Sequence, residues 1–432
     1  MKLVPERYSR LDPARKEKLF TRSMHDVSDV FENCRNIVFD IQKRGDQVLL
    51  DHYKKYKSDI SRTDFRVSHE EMKAAYQKIS ADVVESLKFA AKNIRKFHTA
   101  QLEREMWSVE VMEGILAGRV IRPMDAAGCY VPGRRATYPS SVLMTVIPAV
   151  VAGVEHIVAC TPPDDGMSGN PATLVAADIA GCKELYKIGG PWAIGAMAFG
   201  TETVPKVDCI VGPGNIYVTA AKMAVFGHVD IDSPAGPSES FILADETANP
   251  LWTAVDLLSQ LEHDPDSGAV LVTASEELAN EVCKIIEAEW ENLPRKDILK
   301  ESFRFAAVLI ADNLDEAVEI ANEYAAEHLQ IMTADPFIIL PRIKHAGSIF
   351  LGHFAPVPAG DYASGTNHVL PTGMAARMFS GLSVDNFIKK PTFQYLSKEG
   401  LGSMKDHIIT LANEEGLPIH ARSIAERFKG LS

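Results

Sequence analysis

The stretch "VDCIVGPGNIYVTAAK" (Val207–Lys222) predicts the fold, because an apolar strand, a glycine turn and a helix follow one another directly. A strand that leads through a tight turn into a helix is the building unit of α/β proteins. Gly212 and Gly214 lie in the turn, where the start of the helix would suit an anion. The turn has the pattern GxGxxY, so the dinucleotide-binding pattern GxGxxG is incomplete.

The same alternation continues on both sides of this stretch. Helical patterns at 172–180, 192–199, 217–225, 251–263, 276–291 and 314–324 separate apolar strands such as "HIVACTP", "ELYKIGG", "SFILADE", "GAVLVTAS", "FAAVLIAD" and "HLQIMT". The chain is helical up to about residue 101, with one long pattern at 68–101, and again after about residue 391. We therefore expect an α/β fold of two Rossmann-like parallel-sheet domains with helical N- and C-terminal extensions.

The expected domain boundaries follow from where the alternation begins and stops. Residues 1–125 and 238–385 would form the first α/β domain, together with the N-terminal extension. Residues 126–237 would form the second α/β domain, and residues 386–432 a C-terminal helical segment.

Composition excludes several classes of protein. The net charge of -13 and the lack of a basic patch argue against nucleic-acid binding. The longest apolar run, Ser141–Val154, is too short to cross a membrane and contains Pro148. The N-terminus lacks the apolar core of a signal peptide, so we expect a cytoplasmic protein with reduced cysteines. The six cysteines form no CxxC pair, which argues against a cysteine-type zinc site.

The stretch "LLSQLEHDPDS" (257–267) suggests a metal site. Gln260 and His263 are three residues apart, so on a helix both side chains would project from one face. A neutral amide oxygen is a weak ligand, and a metal that it holds can still accept ligands from a substrate. Such a site suits catalytic rather than structural zinc. A capped helix end would explain the same residues without a metal.

The stretch "NEYAAEHLQIM" suggests acid–base chemistry. Glu327 and His328 are adjacent where a helix is expected to end and a strand to begin. Both side chains can then face a cleft at a sheet edge. A carboxylate beside an imidazole is a plausible acid–base pair. The alternative is a solvated loop.

Glycine- and proline-rich turns carry further polar residues. "PAGDYASGTNHVLPTG" contains Asp361, which would supply the anionic ligand that the Gln–His pair lacks, and His368. The turns "DSPAGPSES" and "CYVPGRRATYPSS" contain Ser238 and the pair Ser140 and Ser141, whose hydroxyls suit substrate or phosphate contacts. Each turn taken alone could be plain structure.

The order of these motifs is more informative than any one of them. Near the C-terminus, Glu415 and His420 flank a Gly-Leu-Pro turn that opens the last helix. Over nearly its whole length the chain resembles the histidinol dehydrogenase family. The resemblance rests on "CYVPG", "YPSSVLM", "VPKVDCIVGPGNIYVTAAK", "IDSPAGPSE", "LLSQLEHDPDS", "EYAAEHLQ", "GDYASGTNHVLPT", "SGLSVDNF" and "EEGLPIHARSI".

The resemblance implies a reaction and a set of residues for it. The family carries out a zinc-dependent, four-electron oxidation of L-histidinol to L-histidine through histidinal with two NAD, the last step of histidine biosynthesis. Its members are intertwined homodimers with one Zn2+ per subunit. By resemblance, the zinc ligands would be Gln260, His263, Asp361 and, from the partner subunit, His420. Glu327 and His328 would be the acid–base residues.

The resemblance also implies contacts to substrate and cofactor. The substrate contacts would be Ser238, Gln260, His263, Glu327, His328, Asp361, His368, Glu415 and His420. The nicotinamide cofactor would lie in the second α/β domain, near Tyr130, Trp192 and Asn215.

Two positions depart from the family pattern, and both are expected near the cofactor. Arg134 stands in "VPGRR" where "VPGG" is usual, and Trp192 stands in "GGPWAI" where "GGAQAI" is usual. A tolerated surface change is one explanation; altered cofactor geometry, with Arg134 on a cofactor phosphate, is the other. Three rival functions are a related sulfonate-diol dehydrogenase, a zinc hydrolase that uses Glu327 to activate water, and a non-catalytic zinc-binding homologue. Glu415 favours histidinol, since a carboxylate there would repel a sulfonate.

Overall fold

The computed structural model describes residues 2–22, 27–133 and 137–429, so Arg134 lies outside the described residues. The chain begins with β1 (Glu6–Arg7), α1 (Pro13–Thr21), α2 (Ser28–Arg44), α3 (Asp46–Tyr53), α4 (His69–Tyr76) and α5 (Ala81–Thr99). The long helical pattern at 68–101 is therefore two helices. The reason is a new N-cap at Ser80, whose hydroxyl accepts a hydrogen bond from the Val83 N–H at 3.3 Å.

A five-stranded parallel sheet follows three short strands. Those three are β2 (Met106–Met112), β3 (Ile115–Val120) and β4 (Arg122–Pro123). The sheet and its helices comprise β5 (Ala126–Tyr130), α6 (Pro139–Ala152), β6 (His156–Cys160), α7 (Pro171–Ala180), β7 (Glu184–Tyr186), α8 (Gly190–Phe199), β8 (Cys209–Val211), α9 (Ile216–Val225) and β9 (Asp230–Ile231). The strand order is β7-β6-β5-β8-β9, and apolar clusters pack on both faces.

A six-stranded parallel sheet comes next. It and its helices comprise β10 (Glu239–Ala244), α10 (Pro250–Leu261), β11 (Gly268–Thr273), α11 (Glu276–Glu289), α12 (Lys296–Ser302), β12 (Ala306–Ile310), α13 (Leu314–Tyr324), β13 (His328–Met332), α14 (Pro336–Ile339), β14 (Ser348–Leu351) and α15 (Val357–Tyr362). The strand order is β1-β12-β11-β10-β13-β14, so the N-terminal β1 completes one edge. Every residue of β10 and β11 is buried, as expected for central strands covered by helices on both faces. The predicted α/β fold with parallel sheets is confirmed.

The helix that was expected to carry both Gln260 and His263 is shorter than predicted. It ends at Leu261, and the His263 N–H bonds to the Gln260 carbonyl at 3.3 Å beyond the helix end. The chain turns at this point, where the Asp264 N–H donates to the Ser267 hydroxyl at 3.1 Å and the Ser267 N–H to the Asp264 carbonyl at 3.0 Å. The expectation that both side chains project from one helix face is therefore wrong.

The chain divides into two compact units. The first comprises Met1–Gln101 and Met124–Phe387, and the second Leu102–Pro123 and Ile388–Ser432. The second unit contains β2–β4 with β15 (Ile388–Lys389), β16 (Thr392–Leu396), α16 (Lys398–Glu414) and α17 (Pro418–Ala425).

Residues 102–123 therefore group with the C-terminal segment, although the sequence had suggested the first α/β domain. The reason is strand pairing: β3 lies between β2 and β16 in an antiparallel sheet, and β4 pairs with β15. The division of the first unit into two domains, one for each sheet, stays a prediction. None of the described helices is long and apolar enough to cross a bilayer.

Candidate active site

A cleft of about 1160 Å³ in the first unit is lined by residues from the ends of both sheets. In each sheet the order of the strands reverses between two neighbouring central strands. These are β5 and β8 in the five-stranded sheet and β10 and β13 in the six-stranded sheet. Such a reversal opens a crevice at the carboxyl ends of the strands, where ligands commonly bind. Tyr130 and Asn215 reach the cleft from the carboxyl ends of β5 and β8, whereas Ser238 and Glu327 reach it from the amino ends of β10 and β13.

Glu327 lies in the turn between α13 and β13 and is held firmly. Its Oε2 accepts hydrogen bonds from the Ser238 hydroxyl at 2.6 Å and from the Glu239 N–H at 2.8 Å. Ser238 in turn accepts a hydrogen bond from the Gln260 side-chain amide at 2.9 Å. These bonds stabilise Glu327 as an oriented carboxylate.

His328 is buried, and its ring orientation assigns its tautomer. Nδ1 lies 3.0 Å from the Glu239 carbonyl oxygen, which can only accept, so Nδ1 carries the hydrogen. Nε2 is then the basic atom; it has no hydrogen-bond partner among the described residues and lies 3.5 Å from Asp361 Oδ1. Burial lowers the pKa of His328, but the carboxylates of Glu327 and Asp361 outweigh burial and the pKa lies well above its ordinary value.

Two residues of this region were missed in the sequence. Glu239, the first residue of β10, is buried and forms an ion pair of 2.7 Å with Arg22, the residue after α1. Burial raises the pKa of Glu239 to about 7, Arg22 opposes that rise, and Glu327 adds to it. A charged residue at the start of the apolar strand "ESFILA" was a usable signal, because a buried carboxylate requires a partner. Arg22 had no such signal.

Asp361 and His368 are brought together by the segment that follows β14. Asp361 lies on α15, and its carbonyl oxygen accepts a hydrogen bond from His368 Nδ1 at 2.8 Å. His368 Nε2 then accepts from the Ser141 hydroxyl at 3.1 Å, which links this loop to the start of α6. Burial of His368 is the main cause that lowers its pKa. Both residues line the cleft beside His328.

The two residues that opened the metal hypothesis differ in exposure. His263 is exposed and lines the cleft. Gln260 is buried behind Ser238 and does not line it, and its amide nitrogen is engaged by the Ser238 hydroxyl. Among the described residues, no three His, Cys, Asp or Glu side chains stand close enough together to hold a metal. Glu415 and His420 belong to the second unit, where both are exposed.

The expected cofactor residues line the same cleft from the five-stranded sheet. The buried Tyr130 hydroxyl accepts a hydrogen bond from the Gly190 N–H at 3.1 Å. Trp192 stacks on His52 with ring centroids 3.5 Å apart. Asn215 caps α9 and accepts hydrogen bonds from the N–H groups of residues 217 and 218.

The glycine turn after β8 is not arranged as an anion site. The Gly212 N–H donates to the Asp232 carboxylate at 2.7 Å, and Asn215 occupies the first free N–H groups of α9. Lys222 is buried and pairs with Asp232. Gly212 is required there because its φ is 123° and a Cβ would lie 2.1 Å from the Tyr130 carbonyl oxygen.

Comparisons with known proteins agree with the motif order. Residues 20–428 match the model of the histidinol dehydrogenase family. The histidinol dehydrogenase of Methanosarcina barkeri is 48% identical over 423 residues, covering 98% of this chain and 97% of that protein. That of Caldanaerobacter subterraneus subsp. tengcongensis is 50% identical over 414 residues, covering 95% of each chain. The crystal structure of histidinol dehydrogenase from Elizabethkingia anophelis superposes with a TM-score of 0.93 at 40% identity, covering 100% of this chain and 98% of that one.

Proposed function

The chain belongs to the histidinol dehydrogenase family of NAD-dependent oxidoreductases, and we propose that it oxidises L-histidinol to L-histidine through histidinal, the last step of histidine biosynthesis. The overall reaction removes four electrons, so it consumes two NAD in succession. The observation that carries the proposal is the buried Glu327–His328 pair, in a cleft that all three expected cofactor residues also line.

His328 is the base for the first oxidation. Its Nδ1 hydrogen is held by the Glu239 carbonyl, so in the neutral imidazole the lone pair is on Nε2 and is available to the substrate hydroxyl. The raised pKa of His328 makes that neutral ring a stronger base. As the alcohol becomes an aldehyde, the hydroxyl proton moves to Nε2. When bound, NAD would supply the hydride acceptor for each of the two oxidations. The carboxylates of Glu327 and Asp361 stabilise the imidazolium that forms.

Glu327 acts in the second half of the reaction. An aldehyde must add water before it can lose a second hydride and become a carboxylate. Glu327 is oriented by the Ser238 hydroxyl and the Glu239 N–H, and its carboxylate would take a proton from that water. Once His328 has released its first proton to solvent, it receives the proton of the hydrate as the second oxidation occurs.

Gln260, His263 and Asp361 would hold a zinc ion together with His420 of a second subunit. The donor types fit, because amide oxygen, imidazole nitrogen and carboxylate are an N/O set suited to zinc. Gln260 uses its amide nitrogen on Ser238, which points to its oxygen as the coordinating atom. When bound, zinc would supply a Lewis acid that accepts the substrate's imidazole and amine nitrogens and so fixes the alcohol carbon.

The remaining expected contacts divide between substrate and cofactor. Ser238, His368 and, from a second subunit, Glu415 would contact histidinol, since a hydroxyl, an imidazole and a carboxylate can accept hydrogen bonds from the N–H and O–H groups of the substrate. Tyr130, Trp192 and Asn215 would contact NAD in the part of the cleft that the five-stranded sheet lines.

We further propose a homodimer in which the second unit completes the partner's site. The second unit has few buried apolar residues and exposes many large ones: Met106, Trp107, Val109, Val111, Met112, Tyr395, Leu411 and Ile419. All seven residues of β2 are exposed. Apolar surface on this scale, with almost no core beneath it, favours a protein partner.

Subunit mixing tests the shared site. His263→Ala and His420→Ala homodimers should each be inactive, because each lacks a ligand in both sites. If His420 crosses over, a mixed dimer contains one site with both histidines intact and should recover up to half of the activity per mixed dimer. Mass spectrometry of intact dimers confirms the mixing. Mixed dimers without activity would contradict the exchange.

We place the enzyme in the cytoplasm. All six cysteines are free and buried, which fits a reducing compartment.

A stoichiometric assay tests the reaction itself. Limiting L-histidinol with excess NAD should yield two NADH per substrate and L-histidine as the product. A single NADH per substrate would show that the aldehyde is released and would contradict the role of Glu327. If histidinol yields no NADH but a sulfonate diol does, the chain has the activity of the related sulfonate-diol dehydrogenases.

A further inference from the structure

Arg22 is a nearly inaccessible cation beside the acid–base pair, and the reaction outlined above does not use it. It follows α1 with a φ of 54°, a value that a non-glycine residue rarely adopts. One arm of its guanidinium pairs with the Glu239 carboxylate at 2.7 Å, and the other donates to the Tyr324 carbonyl oxygen. The guanidinium also stacks on the Tyr324 ring, 3.5 Å from its centroid.

Glu239, which Arg22 holds in place, forms hydrogen bonds to both Glu327 and His328. Its Oε1 accepts a hydrogen bond from the Glu327 N–H at 3.2 Å, and its own N–H donates to Glu327 Oε2 at 2.8 Å. Its carbonyl oxygen fixes His328 Nδ1 at 3.0 Å. Thus Glu239 orients the carboxylate of one residue and the tautomer of the other.

The turn that Arg22 grips is itself strained. Tyr324 ends α13, and Ala325 has a φ of 50° before Glu327 begins the approach to β13. A left-handed non-glycine residue persists only where its surroundings hold it. Arg22 connects the two ends of this turn: it bonds to the Tyr324 carbonyl at the start and to the Glu239 carboxylate, which accepts the Glu327 N–H at the end.

We propose that Arg22 and Glu239 form a buried clamp that positions Glu327 and His328, so that the segment after α1 is part of the active-site support. Both are positioning residues rather than catalytic ones. The proposal rests on the catalytic roles given above to Glu327 and His328.

The clamp also explains why two carboxylates can lie together in a buried region. Glu239 and Glu327 exchange backbone and side-chain hydrogen bonds within the protein, and the side chains of Arg22 and Glu239 are only 4% and 5% exposed. Like charges so placed repel each other unless a cation is near. Arg22 is the cation paired with Glu239, and its planar fork allows it to contact Tyr324 as well.

The test compares kcat with folding stability in four variants: Arg22→Lys, Arg22→Met, Glu239→Gln and the double variant Arg22→Met/Glu239→Gln. Arg22→Lys keeps the charge but cannot bridge both partners, so kcat should fall about 10-fold, with the KM for histidinol changed less than about threefold. Arg22→Met should lower kcat about 100-fold and lower the thermal midpoint.

The double variant separates positioning from stability. It removes both charges, so its thermal midpoint should rise above those of the two single charge-removing variants. Its kcat should nevertheless stay low, because the clamp is absent. Arg15→Met is the matched control: Arg15 lies on α1, its pair with Glu6 of β1 is 30% and 34% exposed, and the variant should keep wild-type kcat.

If kcat of the double variant recovers together with its thermal midpoint, Arg22 and Glu239 contribute only to stability, and the proposal is overturned. Wild-type kcat in folded Arg22→Lys would overturn it too. The variant His328→Asn distinguishes failure of the proposed catalytic roles from failure of the clamp. If it stays fully active, the catalytic role assigned to His328 is wrong, whatever the clamp variants show.

Discussion

The two parallel sheets present opposite ends to the same cleft. In the five-stranded sheet, Tyr130 and Asn215 lie at or beyond the carboxyl ends of strands, which is where α/β sheets usually bind ligands. In the six-stranded sheet, Ser238, Glu327 and His328 lie at the amino ends. Strand starts supply free N–H groups, and Glu327 is held by one from Glu239. The comparison teaches that the proposed cofactor residues lie at the edge where ligands usually bind, whereas the proposed acid–base pair depends on N–H donors at the opposite edge.

The largest effect should come from the amino edge of the six-stranded sheet. His328→Asn keeps a polar amide side chain but removes the base, so kcat should fall about 10²- to 10⁴-fold. The matched control is His156→Asn, because His156 is the first residue of β6 as His328 is of β13, yet it is exposed and outside the cleft. Steady-state kinetics at saturating substrates measure both. Equal losses in the two variants would contradict the proposed difference between the edges.

A buried charge at the carboxyl edge of the five-stranded sheet should matter for stability. Lys222→Met leaves the Asp232 carboxylate buried without its cation. The carbonyl oxygens of Gly212 and Ser233 also lose the hydrogen bonds that the Lys222 ammonium donates to them. The free energy of unfolding should fall by about 3–5 kcal/mol. Urea denaturation measures it, with exposed Lys183→Met as the control. An unchanged midpoint would show that the turn does not need its internal cation.

The cofactor half should respond at Trp192. Trp192→Gln removes the ring that stacks on His52 and restores the glutamine usual in the family. If the stacked pair contacts the cofactor, NADH affinity should weaken about fivefold, which corresponds to about 1 kcal/mol. Fluorescence titration with NADH measures affinity without turnover. Trp252→Gln, which removes a tryptophan in tilted contact with Phe354, should leave NADH affinity unchanged. Tighter NADH binding in Trp192→Gln would show that the tryptophan hinders the cofactor.

The smallest effect should be shared by both sheets. Ile242→Val in β10 and Ile210→Val in β8 each remove one methyl group from a fully buried position. Each should cost about 0.5–1.5 kcal/mol of unfolding free energy and leave kcat within about twofold of wild type. A large loss of kcat in Ile242→Val alone would show that core packing near β10 sets the geometry of the acid–base pair.

Local patterns accounted for most of the fold. Helix α13 begins and ends where the sequence predicted, because Asn313 is a clear cap and apolar residues recur at helical spacing. The helix through Gln260 was predicted two residues too long, since the turn closed by hydrogen bonds between Asp264 and Ser267 leaves no helical period in the sequence. The grouping of residues 102–123 with the C-terminus was missed, because antiparallel pairing between distant segments leaves no local signal.

The sequence by itself determined the α/β class and the family, and it singled out Ser238, Glu327, His328, Asp361 and His368, all of which line one cleft. Spacing and residue type are local properties, so they can be read from the sequence alone. Only the tertiary structure decided that Glu239 and Arg22 support the pair, that His328 presents Nε2, and that the Gly212 turn is closed by Asp232. These are relations between residues far apart in the chain, and burial and hydrogen-bond geometry exist only once the chain has folded.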